Sequence, residues 1–134
     1  MHRLDPRKQQ RVVEAWRHNL KKDPKEVMAD LVFKKIITGE QARELVTKHK
    51  HIVDMLVISR EAGSHKREAE QTRDPSFYGI AGKLFVDAAT QAMKAGMTSY
   101  ATIFLKEAID AKKIAHVPEE EIYVLMKTLE GLKQ

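Results

Sequence analysis

The stretch Thr38–Gly63, TGEQARELVTKHKHIVDMLVISREAG, constrains the fold more than any other part of this chain. Ala42, Leu45, Val46, His49, Ile52, Val53 and Leu56 recur at three- and four-residue steps, the period of one helix face. Thr38 followed by Gln41 has the spacing of a capping box, and Gly63 suits a helix end. Met55, Val57 and Ile58 widen the apolar surface beyond one stripe. A helix apolar most of the way round needs neighbours on several sides. The pattern therefore predicts a central helix over about 39–62, packed inside a bundle.

Three other helix starts share one device. Asp5-Pro6, Asp23-Pro24 and Asp74-Pro75 each place an aspartate at the N-cap and a proline at the first helical position. The carboxylate accepts backbone N–H groups that have no partner within the helix, and proline brings no N–H of its own. A first helix is expected over 6–20, with a stripe of Val12, Val13, Trp16 and Leu20. A second is expected over 24–36, with a face of Val27, Met28, Leu31, Val32 and Lys35 or Ile36. Residues 64–74, SHKREAEQTRD, show no apolar period and predict a polar connector over about 63–74. Beyond it, a helix over 75–95 carries a thin face of Ile80, Ala81, Leu84, Phe85, Ala88 and Ala92, with a break or kink allowed near Gly82. Another over 99–113 shows Tyr100, Ile103, Phe104 and Ala108, widened by Leu105 and Ile109. The last opens at Pro118 with three glutamates at its positive end and a stripe of Ile122, Leu125, Met126, Leu129 and Leu132. No segment sustains the strict alternation of a strand. The expected fold is all-α, a compact bundle of five to seven helices forming one domain over 1–134.

At 43% hydrophobic and 32% charged, the chain can build a core and is not compositionally disordered. It has no cysteine, which removes disulfides, thiolate metal sites and cysteine nucleophiles. MHRLDPRKQQ lacks the apolar core of a signal peptide, and no apolar run reaches the ~20 residues that span a bilayer. A cytoplasmic location is the expectation.

The net charge of +5 is local. Residues 1–22 hold Arg3, Arg7, Lys8, Arg11, Arg17, Lys21 and Lys22 against Asp5 and Glu14, and the rest of the chain is neutral. A run of this kind can neutralise phosphates, or can be a solvated face whose long stems cover Trp16 and the valines. Lying on a membrane surface is a weaker reading, because the apolar stripe is short.

Motifs for chemistry fail on spacing. Gly79-Ile80-Ala81-Gly82-Lys83 has two residues between its glycines and Leu84 after the lysine, where a phosphate loop needs four and then Ser or Thr. His49 and His51 point about 200° apart on a helix, so they cannot share a metal. His49 lies on the apolar stripe and reads as a core-edge histidine with one hydrogen-bond partner. Lys50–Asp54 and Lys83–Asp87 have the spacing of surface ion pairs. A helix-turn-helix over 28–63 is disfavoured by the length and apolarity of its second helix. No catalytic, cofactor or metal residues are assigned, and no small-molecule substrate is evident. The expectation is a non-enzymatic adaptor or regulator that binds a protein or itself. Val57, Ile58, Phe77, Tyr78, Tyr100 and Tyr123 are its candidate interface residues. The alternative is a DNA- or RNA-binding accessory protein acting through the basic first helix.

Overall fold

The computed structural model describes residues 4–132. These form seven helices and no strand: α1 (Pro6–His18), α2 (Pro24–Phe33), α3 (Gly39–Thr47), α4 (His49–Thr72), α5 (Pro75–Lys94), α6 (Thr98–Ile114) and α7 (Glu119–Leu132). The fold is an all-α bundle.

Local chemistry sets the helix starts. Asp5 accepts from the Lys8 N–H at 2.8 Å, Asp23 from Lys25 at 2.9 Å and Asp74 from Ser76 at 3.0 Å. Thr38 and Gln41 close a full capping box. The Gln41 N–H donates to Thr38 Oγ1 at 3.1 Å, and the Thr38 N–H donates to Gln41 Oε1 at 2.9 Å.

The helix expected over 39–62 is two helices. Lys48 leaves helical geometry at φ −99°, ψ 10°, and its N–H turns back to the Leu45 carbonyl at 3.0 Å. The Thr47 hydroxyl donates to the Glu44 carbonyl, a bond that competes with the helical ladder. The apolar period nonetheless runs across the break, since Ala42, Leu45, Ile52, Met55 and Leu56 enter one core cluster. Gly63 does not end α4. The segment expected as a connector is helical to Thr72, where Arg73 takes a left-handed conformation at φ 59°. Ala62 and Ala69, both buried, carry the period there, with Lys66 between them bridging to α6. Their small side chains give little hydropathic contrast against the surrounding charges.

α4 packs most extensively on α5, and α5 on α6. The links at 73–74 and 95–97 are short enough to fold them into successive hairpins. α5 runs through Gly82 without a break. A Cβ at Gly82 would come within 2.8 Å of Lys112 Cγ on α6, so that glycine serves the close approach of the two helices. The chain turns after α5 at Gly96 (φ +74°), where Met97 N–H reaches the Ala92 carbonyl and Gly96 N–H the Met93 carbonyl.

The main core cluster gathers Val12, Val13 and Trp16 of α1, Met28 and Leu31 of α2, Leu45 of α3, Ile52 and Met55 of α4, and Met97. A smaller cluster of Ala62, Ala81, Phe85 and Ala108 lies further along α4–α6, and Phe104 packs against both. Four residues expected on inner stripes are exposed instead: Leu20, which lies beyond the end of α1, Ile80 of α5, Ile103 of α6 and Met126 of α7, which sits at the edge of its stripe. Leu105 and Ile109, read as flank residues, occupy the buried side of α6 instead. α7 rests on α6 with no residue fully buried.

Candidate functional site

The basic set is mostly a surface feature, as its helical spacing implies. Arg7, Arg11, Arg17, Lys21 and Lys22 are exposed and Lys8 is half-buried, while Arg3 lies outside the described residues. On α1, Arg7 and Arg11 occupy the side opposite Trp16. None of these cations belongs to an ion pair among the described residues, where Lys34–Asp30, Lys48–Glu44, Lys66–Glu107 and Lys112–Glu121 are the pairs formed. The anticipated Lys50–Asp54 and Lys83–Asp87 pairs are therefore not made. Solvated long side chains gain too little from such contacts to hold one geometry.

Trp16 fixes α1 to α4. Its Nε1–H donates to His49 Nδ1 at 3.2 Å, with the rings 5.4 Å apart. His49 is thus a core-edge histidine with a partner. His51 faces another way and meets Gln91 Oε1 at 2.8 Å.

The six apolar interface candidates are spread over α4, α5, α6 and α7. Val57 is 46% exposed and Tyr123 60% exposed, and the other four are half-buried. Tyr100 packs at the edge of the main core, 6.1 Å from the Phe104 ring. Burial pushes its hydroxyl above the ordinary tyrosine range, against the pull of Arg17. Phe77 stacks on His65, whose Nδ1 is buried and unbonded among the described residues.

Among the described residues, two of the surface troughs bear on function. The first, about 480 Å³, lies between α4 and α6 and is lined by Lys66, Glu70, Tyr78, Glu107, Asp110 and Lys113 among others. Lys66 Nζ donates to Glu107 Oε2 at 2.8 Å, and that bond holds its ammonium above the usual lysine range. A lysine kept protonated in this way suits a structural bridge better than a nucleophile or base. The second, about 370 Å³, lies between α2 and α3. Met28, Ala29, Ala42 and Val46 form its floor, with Lys25 and Arg43 beside them.

No family model, curated protein or solved structure matches this chain.

The pairing of α2 with α3 changes the helix-turn-helix comparison. α3 has nine residues, so length no longer counts against it. Its outward positions do: Glu40, Arg43, Glu44 and Thr47 bring two acids for one base, a poor surface for phosphates. Periodicity alone also passes over the largest exposed apolar group. Phe33, at the end of α2, is 86% exposed. Its one available signal is that it falls off the stripe of Val27, Met28 and Leu31. Val124 and Met126 are exposed on α7 as well. Among the described residues, no group of three or more His, Asp or Glu gathers as a metal site, and no helix is long and apolar enough to cross a membrane.

Proposed function

We propose that this chain is a small non-enzymatic helical adaptor or regulatory protein that acts in the cytoplasm by binding another protein. The observation that supports this most is the set of large apolar side chains held out to water, Phe33 above all. The inner faces of α1 to α6 already close two core clusters, so these side chains add nothing to the core. Aromatic and methionine anchors surrounded by polar groups are the usual centre of a protein interface. Affinity capture from a native extract at moderate salt, with the wild type beside a Phe33→Ser, Tyr123→Ser variant, tests this. A protein retained by the first and lost by the second supports the reading. A monomer that retains no protein counts against it.

One observation favours a second reading, binding of DNA or RNA through α1: its exposed cations have no acidic partners among the described residues. Fluorescence anisotropy with labelled duplex DNA and single-stranded RNA, at low and near-physiological salt, separates the two. Steep salt dependence, and loss of binding on neutralising Arg7, Lys8, Arg11 and Arg17, would favour nucleic acid. Absence of binding at low salt would leave α1 a solvated or protein-docking face.

A further inference from the structure

We propose that the chain self-associates, α7 of one copy lying in the α2–α3 trough of another. This rests on the protein-binding reading and makes the partner a second copy. The two surfaces are chemically matched. The trough has an apolar floor of Met28, Ala29, Ala42 and Val46, and its two charged lining residues, Lys25 and Arg43, are both cations. Neither is in an ion pair among the described residues. At roughly 100° per residue, Asp30 of α2 and Glu44 of α3 point about 150° from the trough's centre line, and Glu26 and Glu40 flank it at about 110° without lining it. Acids that would repel an anionic guest are thus segregated from the trough.

The complementary surface is on α7. Its inner stripe of Ile122, Leu125, Leu129 and Leu132 is half-buried, and the flank beside it is open. On that flank Glu119, Tyr123, Met126 and Glu130 follow at steps of four, three and four, which aligns them along the helix. Tyr123 is 60% and Met126 46% exposed. Lys127 Nζ lies 5.5 Å from the centroid of the Tyr123 ring, so this flank carries Glu119 and Glu130 against one cation, a net negative face for an apolar floor bordered by Lys25 and Arg43. The trough is shallow and open, a shape that suits the side chains of an amphipathic helix lying along it. A reciprocal arrangement, each α7 in the other copy's trough, closes as a two-fold dimer and uses both surfaces twice.

Sedimentation equilibrium of the full chain tests this, with circular dichroism confirming helicity. The wild type should dimerise with a dissociation constant that rises with salt. Lys25→Glu with Arg43→Glu should weaken the dimer about tenfold or more, since like charges then face each other. Glu119→Lys with Glu130→Lys should weaken it similarly. Mixing the two variants should restore a heterodimer that neither forms with itself. A wild type monomeric up to about 1 mM would overturn the inference, as would a dimer insensitive to these reversals or a mixture that fails to associate. Failure here leaves the adaptor reading standing if a different protein is still captured through Phe33.

Discussion

Gln9, a buried polar side chain of α1, ties that helix to the start of α6. Its Nε2 donates to the Leu4 carbonyl at 2.8 Å, and its Oε1 accepts from the Ser99 N–H at 3.0 Å and the Ser99 hydroxyl at 2.6 Å. α6 receives no side-chain cap from Met97, its own N-cap residue. A glutamine on α1 therefore satisfies one of its first free N–H groups. Gln9→Ala should lower unfolding free energy by about 1–2 kcal/mol in urea titration, because it leaves the half-buried Leu4 carbonyl and Ser99 N–H without these bonds. Tyr100 makes a second prediction at this scale. Burial raises its hydroxyl above the ordinary range, with Arg17 opposing and Glu14 adding. The folded state then keeps a proton that the unfolded chain gives up near a tyrosine's usual value of about 10. Stability should therefore fall as pH rises past that value, until the raised folded-state value is passed. Lys66, also raised, gives a loss of the same sign at higher pH. The diagnostic is the difference: melting temperatures of wild type and Tyr100→Phe should diverge above about pH 10, the variant losing less. Parallel curves would show that this hydroxyl titrates normally.

At the scale of the element, α4 separates what periodicity can reveal from what it cannot. A glycine followed by a polar run reads as a helix end, yet Gly63 sits inside a 24-residue helix. The nearest atom to a Cβ built there is Arg67 Nη1 at 3.5 Å, the tip of a mobile side chain. Gly63→Ala should thus stabilise the protein by about 0.5–1 kcal/mol, through reduced backbone entropy in the unfolded chain. A terminating left-handed glycine would give the opposite sign, so a urea titration decides the matter. The starts of α1, α2, α3 and α5 were legible because aspartate, proline and the Thr38–Gln41 pair act on backbone groups within three residues of themselves, whereas α4, which has no side-chain cap, reads in the sequence as part of α3. Ends were less so. Lys35 and His116 take positive φ where glycine would have flagged a stop. The bonds Ile36 N–H to Leu31 O and Val117 N–H to Lys112 O show why the chain turns there. The basic outer face of α1 was visible from spacing. The α2–α3 trough was not, because it exists only once two helices are paired.

For the whole molecule, the open issue is whether its two core clusters melt as one. The reading of a polar connector at 63–74 would let the halves separate, whereas α4 runs through both and Phe104 packs against each. Trp16, the single tryptophan, lies in the main cluster and reports on it alone by fluorescence. Far-UV circular dichroism reports on all seven helices. If the clusters are coupled, both signals should change at one urea midpoint. A fluorescence transition that precedes the loss of helicity would mean that α1–α3 detach while α4–α6 persist. Leu56→Asp sharpens the test. Leu56 is 7% exposed on the first half of α4, and a charge there has to be buried without a partner, which costs several kcal/mol. In a coupled molecule this change should abolish the native tryptophan signal and most of the helicity together, although the smaller cluster is untouched. Retention of about half the helicity would instead identify the α4–α6 hairpins as a unit able to fold without the rest.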